Sequence, residues 1–301
     1  MKKTIIFVTS ILLVMSVLIS CNGKGDIITD EKNENVRYDI FFRLYGSQSV
    51  KSLENDISEE EKEKLQQKYA TIEFGRGGRT HVQRRDDAAD TVDMSIDGRS
   101  YRMEYKGTYR DELAKNDRFG DSMDYVEYNF DNGRAQIRTS TKELIFFSDR
   151  SQANIGGDMT NEKAVEIAEA TFIDTYGQEV RQKYELDGVY GSDSTPYNVS
   201  YVRKIHGMRT EDRIAIGVNG KGEIIIISAQ SMGFYDGAEK DLTKQEVENA
   251  KNHMLERLGQ RYDARVFTLV MSREGKYFIE AYVTAPNADI STAELAYINI
   301  Q

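Results

Sequence analysis

The sequence predicts an α+β protein: tandem small units, each a helix packed on an antiparallel sheet, preceded by a mainly β N-terminal region. Three observations carry this. The stretches Asp158-Met159-Thr160 and Asp241-Leu242-Thr243 open capped helices 83 residues apart, and each helix is followed by runs in which apolar and polar residues alternate. Before them, Asp97-Gly98 and Asp131-Asn132-Gly133 separate alternating runs with the residue types that tight hairpin turns require. The 301 residues include one cysteine and two prolines, so no internal disulfide is available and stability must come from hydrophobic cores.

At the N-terminus, Lys2 and Lys3 precede an uncharged apolar run from Thr4 to Ile19, closed by Leu18-Ile19-Ser20-Cys21. A positive start, a short apolar stretch and a small residue before the cut describe a secretory signal over residues 1–20. The run is shorter than the roughly 20 residues of a membrane-spanning helix. The Leu-Ile-Ser-Cys ending resembles the lipobox of bacterial lipoproteins. That resemblance implies that Cys21 is acylated and holds the mature chain to the membrane, facing the outside of the cytoplasm. Residues 21–35 are polar and read as a tether. Removing the signal takes Lys2 and Lys3 from 40 basic residues set against 50 acids, which moves the net charge from −10 to −12. That balance excludes nucleic acid as a partner, because phosphate binding needs basic patches.

Residues 36–150 read as a mainly antiparallel β domain. Tyr38, Ile40, Phe42 and Leu44 share one face of a first strand. Ser58-Glu59-Glu60-Glu61 is a capping box opening a charged helix to about Tyr69, with Leu65 and Tyr69 as its narrow apolar stripe. Gly75-Arg76-Gly77-Gly78-Arg79 reads as a flexible loop; glycines beside arginines can form an anion nest, but the loop lacks the Gly-Lys-Ser/Thr ending of a phosphate loop. Hairpins follow over residues 90–106 and 123–139, and Lys142 to Phe147 is a further strand. Asp86, Asp87, Asp90, Asp93 and Asp97 lack the ligand order of an EF-hand loop.

Ser151 to Gly157 is the best boundary in the chain. In the unit at 158–238, Thr160 caps a helix carrying Ala164, Val165, Ala168, Thr171 and Phe172 at helical spacing, ended by Gly177. Tyr197, Val199 and Tyr201 alternate with polar residues, as do Ile214, Ile216 and Val218, and Asn219-Gly220 turns the chain into Glu223 to Ala229. In the unit at 239–301, Thr243 and Glu246 form a capping box with Leu242 and Val247 as its staple. Val247, Ala250, Met254, Leu255 and Leu258 form the expected buried stripe, and strands are expected at 266–271, 277–283 and 295–300.

The run Thr160-Asn161-Glu162-Lys163-Ala164 with its helix, the strand from Tyr197 to Ile205, and Ile214 through Asn219-Gly220-Lys221-Gly222-Glu223-Ile224 together resemble a PepSY-type domain, with a weaker echo over 241–301 that lacks the Asn-Gly or Asp-Gly turn. The resemblance implies a helix-on-sheet fold without catalytic residues. It also implies an association with peptidase propeptides and the control of exported peptidases.

No cofactor or metal is expected. His81, His206 and His253 have no second His or Cys at zinc-ligand spacing, and no nucleophile-elbow or His-Glu-x-x-His motif is present. The expected function is a lipid-anchored cell-surface binding protein without catalysis, controlling or inhibiting an exported peptidase. The alternative is an envelope-polymer hydrolase with a carboxylate site between units. The candidate partner-binding surface is the turn holding Arg203, Lys204, His206, Arg209 and Arg213 against Glu211 and Asp212, a basic loop in an acidic chain suited to a negative partner.

Overall fold

A computed structural model describes residues 40–43, 50–52, 58–74, 79–111, 123–152, 156–192, 195–288 and 294–300. Cys21, the signal and tether segments, Gly75 to Gly78, and the flanks of the first strand at 36–39 and 44–45 lie outside the described residues. The first part carries strands β1 (Ile40–Arg43) and β2 (Val50–Ser52), helix α1 (Glu59–Ala70), and strands β3 (Arg79–Val82), β4 (Thr91–Ile96), β5 (Arg99–Asp111), β6 (Tyr125–Phe130), β7 (Gly133–Arg138) and β8 (Leu144–Asp149). Next come α2 (Asn161–Tyr176), α3 (Gln178–Arg181), β9 (Tyr184–Ser192), β10 (Thr195–Ile205), β11 (Met208–Val218) and β12 (Ile224–Ser228). The last elements are α4 (Ala238–Asp241), α5 (Lys244–Leu258), β13 (Asp263–Met271), β14 (Tyr277–Thr284) and β15 (Glu294–Asn299). The fold is α+β, with a large mixed sheet and a few helices.

The sheet branches at β11. One edge of β11 is paired along its length with β10, and β9 lies outside β10. The other edge is shared: Arg209 and Thr210 pair in parallel with β13, whereas Ala215 to Val218 pair antiparallel with β12. From β12 one arm continues through β8, β7, β6 and β5, which carries β3 and β4; from β13 the other continues through β14, β15, β1 and β2. The first strand in the chain therefore hydrogen-bonds to the last, with Ile40 opposite Ile298.

Helix α2 forms where the sequence places it because its caps are local. The Thr160 hydroxyl accepts from the Lys163 amide at 3.3 Å, and Gly177 ends the helix. Its buried face, Ala164, Ala168, Thr171 and Phe172, packs with Tyr197, Val199, Tyr201, Ile214 and Ile216 of β10 and β11. Both halves of the capping box are made at α5, by Thr243 and Glu246, and at α1, by Ser58 and Glu61. Val247, Ala250, Met254 and Leu258 are the buried stripe of α5, whereas Leu255 is 42% exposed. Leu255 lies one residue, about 100°, round from Met254, on the shoulder of a stripe that the 3–4–4 spacing already fills.

The β13–β14–β15–β1 arm is covered on both faces. Ile40, Phe42, Ile279, Ala281 and Ile298 face α5, while Phe41, Val270, Phe278 and Tyr297 face Leu65, Tyr69 and Ile72 from α1 and the turn after it. Phe41 stacks between Tyr69, 4.2 Å between ring centres, and Tyr297, 5.2 Å away. The charged helix α1 is thus the second cover of a sheet whose other strands lie some 200 residues further along the chain.

Two glycines are fixed by geometry. A side chain at Gly133 would place its Cβ 2.0 Å from the Ser148 carbonyl where β7 meets β8. Between β11 and β12 the positive φ falls on Gly222, at +89°, and the turn is a longer loop organised by Asn219 rather than a two-residue Asn219-Gly220 turn. The Asn219 Oδ1 accepts from the amides of Lys221 and Glu223 at 3.0 Å each, and its Nδ2 donates to the Glu223 carboxylate.

Candidate functional site

The chemistry-bearing residues gather at the branch point. Between its two partners β11 leaves residues 211–214 without a strand on that edge, and the segment from Gln230 to Gly237 fills the place. The Ser231 hydroxyl receives the Arg213 amide at 3.2 Å and donates to the Glu211 carbonyl at 3.0 Å. On the opposite edge the register with β10 shifts between Val202 and Lys204. There the Thr210 hydroxyl donates to the Arg203 carbonyl at 3.0 Å and accepts the Asp212 amide at 3.1 Å. The bulge turns Arg203 and Asp212 to one side of the sheet.

That side is buried. Arg203 is 4% exposed, and three carboxylates surround its guanidinium: Asp236 hydrogen-bonds Nη1, Glu239 is 3.4 Å from Nη2, and Asp212 is 3.8 Å from Nη1. Tyr184 donates its hydroxyl to Asp212 at 2.8 Å. Burial nevertheless pushes the Asp212 carboxyl up to about 6. Desolvation wins because the guanidinium directs its hydrogen bonds to Asp236 and Glu239 and offers Asp212 only a distant charge. Asp212 in turn raises the Tyr184 phenol, already raised by its own burial.

On the other side Glu211 accepts from the Tyr235 hydroxyl at 3.1 Å, and Glu280 on β14 is its neighbouring acid. Burial, and then the charge of Glu280, push the Glu211 carboxyl up to about 7, against the pull of Tyr235, Arg213 and the Met271 amide. Burial also raises Glu280, against a hydrogen bond from Tyr297. A carboxyl raised in the folded state stabilises the fold below its unfolded value, and that stabilisation is lost as pH rises through the folded value. Wild-type stability should therefore fall between about pH 4.5 and about pH 7 through Glu211. Glu211→Gln should remove that slope, gaining about 3 kcal/mol on the wild type at pH 8 relative to pH 5. Urea denaturation at the two pH values measures it, and a gain equal at both would show that Glu211 is ionised throughout.

The basic residues read from the sequence do not stand free. Lys204 pairs with Glu185, Arg209 pairs with Asp187 at 2.5 Å, and Arg213 lies 3.7 Å from the same Asp187. His206 occupies the left-handed region at φ 50°, and its Nε2 is 2.7 Å from the Leu242 carbonyl at the entry to α5. Glu185 and Asp187 belong to β9, a strand that local pattern did not disclose because Gly188 and Gly191 interrupt it. Of the five residues, Arg213 both is exposed and lines a groove.

That groove, of about 390 Å³, lies on the face opposite α2 and is lined by Tyr190, Asn198, Ser200, Arg213, Ala215, Ser228, Gln230 and Ser231. Among the described residues no helix packs on that face. A polar rail continues from it: Gln230 donates to Gln136 at 3.0 Å, Gln136 to Glu127 at 2.9 Å, and Arg79 to the same Glu127 oxygen at 2.7 Å. Tyr190 stands 60% exposed on β9, which among the described residues is paired on one edge only.

No protein-family model matches the chain, and no curated protein matches it in sequence. Among solved structures, the C-terminal domain of YpeB from Bacillus megaterium is 12% identical, with a TM-score of 0.33 over 77% of this chain and 89% of that one. A likeness at that level carries no argument about what this chain does.

Proposed function

We propose that this chain is a lipid-anchored binding protein without catalysis, built with two PepSY-like units at 158–238 and 239–301. It would be held through a lipid on Cys21 at the cell membrane, facing the outside of the cytoplasm. The observation that supports recognition is the open face opposite α2: a sheet surface bearing hydrogen-bonding side chains, an exposed tyrosine and Arg213, beside a strand edge that is unpaired among the described residues. The PepSY-type resemblance makes an exported peptidase the first partner to test, with control of its activity as the function. The hydrolase reading rests on Glu211 and Glu280, two neighbouring acids held above the ordinary carboxyl range.

The experiment has two parts. Mass spectrometry of the mature protein should find Cys21 modified at the N-terminus, and Cys21→Ser should leave the precursor uncleaved there; an unmodified N-terminus elsewhere overturns the anchor. A photo-crosslinking residue at position 213 of the anchored protein should capture an exported protein that the same residue at Glu166, on the exposed side of α2, does not. Equal capture at both positions overturns the open face as the recognition surface.

A further inference from the structure

The groove on the open face has a floor, an end wall and hydrogen-bonding groups that the fold leaves unused. Its floor runs across three strands: Ser200 of β10 faces Ala215 of β11, and Ala215 faces Ser228 of β12. Beyond Ser200 the same row reaches Gly188 of β9. Tyr190 folds back over that glycine, where a Cβ would come 3.1 Å from the tyrosine hydroxyl oxygen. The ring therefore stands at the end of the groove while the residue is 60% exposed. Ser200 is 7% exposed and lines the groove, yet its hydroxyl has no hydrogen-bond partner among the described residues. A hydroxyl taken from water without a partner costs free energy, and one that opens on a groove is satisfied by what fills it. The Asn198 amide, the Ser228 hydroxyl and the Gln230 amide oxygen are likewise unpaired among the described residues. Arg213 is the one charged residue of the lining, and Asp187 already lies 3.7 Å from it.

We propose that this groove binds a sugar residue of an uncharged glycan chain, its ring against Tyr190 and its hydroxyls paired with Asn198, Ser200, Ser228 and Gln230. A sugar ring presents C–H groups on its faces and hydroxyls at its edge. An aromatic side chain suits the first, and hydroxyls and amides, which both donate and accept, suit the second. Charge favours an uncharged ligand: an anion would compete with Asp187 for Arg213 and meet a chain of net charge −10. A polypeptide fits less well. A chain following the floor crosses the strands, so it cannot pair its backbone with theirs as an added strand does. The proposal rests on the open face as the recognition surface and not on a peptidase as its partner.

The probes are cellotetraose, chitotetraose and mannotetraose, with tetragalacturonate as the charged chain, titrated calorimetrically into the whole protein. At least one uncharged tetrasaccharide should bind at millimolar concentration or below, and tetragalacturonate at least about tenfold more weakly than the best of them. Tyr190→Ala changes an exposed residue and should weaken that tetrasaccharide at least about tenfold, while Tyr190→Phe keeps the ring and most of the affinity. Ser200→Ala should weaken it about fivefold and leave urea stability equal to or above that of the wild type, because the fold loses no hydrogen bond. A Ser200→Ala protein that unfolds more readily would show the hydroxyl paired within the fold and overturns the proposal. So does tetrasaccharide binding that survives both Tyr190→Ala and Ser200→Ala, or tighter binding of tetragalacturonate. Capture of an exported protein at position 213 with no heat from any tetrasaccharide would keep the open face as a docking surface for protein and overturn the glycan as its ligand.

Discussion

Phe172→Ala should destabilise the protein by about 3–5 kcal/mol, the range for deleting a buried ring. Phe172 is fully buried on the inner face of α2, and three tyrosines meet it edge-on: Tyr201 at 5.1 Å, Tyr176 at 5.5 Å and Tyr184 at 5.6 Å between ring centres. The three partners come from the helix and from two different strands, so collapse into the vacated space would have to move all of them. Aromatic pairs of this geometry add about 0.5–1.5 kcal/mol each beyond burial. Thr243→Ala is the comparison: it removes one cap at the start of α5 and should cost about 1 kcal/mol. Urea denaturation of both variants at one pH orders them, and a larger loss for Thr243 would mean that the α2 stripe does not carry its core.

Arg203→Met should cost about 3–5 kcal/mol at pH 8, because it leaves the buried Asp212 carboxylate without its cation. Asp236 and Glu239 lose the same partner, but their side chains are half-exposed or more and pass to water. Asp212, its carboxyl already raised by burial, moves further up once the guanidinium is gone. The sign follows: a raised acid destabilises the fold when it must ionise, so the loss should shrink at pH 5, where Asp212 is protonated, and be full at pH 8. Adding Asp212→Asn keeps an acceptor for the Tyr184 hydroxyl and should restore much of the lost stability at pH 8. An Arg203→Met protein as stable as wild type at pH 8 would show that Asp212 is held by Tyr184 alone.

The basic turn shows how charge order along a chain differs from charge in space. Arg203, Lys204, Arg209 and Arg213 outnumber Glu211 and Asp212 in the sequence, but Glu185, Asp187, Asp236 and Glu239 stand against them in space. Electrostatics is summed over distance, and those acids lie 19 to 36 residues away from their cations along the chain. The gathering of Glu211 on β11 with Glu280 on β14 was equally hidden, since the two strands lie far apart in the chain and meet only in the assembled sheet.

What the sequence determined by itself is what lies within a few residues. The caps of α1, α2 and α5 join side chains to amides three positions on, and the Asp97-Gly98 turn puts both residues at positive φ, so neither needs the rest of the fold. The alternation in β10 and β11 likewise marks their buried face, because side chains on a strand switch sides at every residue. Only the tertiary structure decided that β1 pairs with β15, that α1 covers the face bearing Phe41, and that β11 divides its edge between β12 and β13. Backbone hydrogen bonds are alike for every sequence, so strand partners are chosen by which apolar faces can be buried together, and that choice belongs to the assembled sheet.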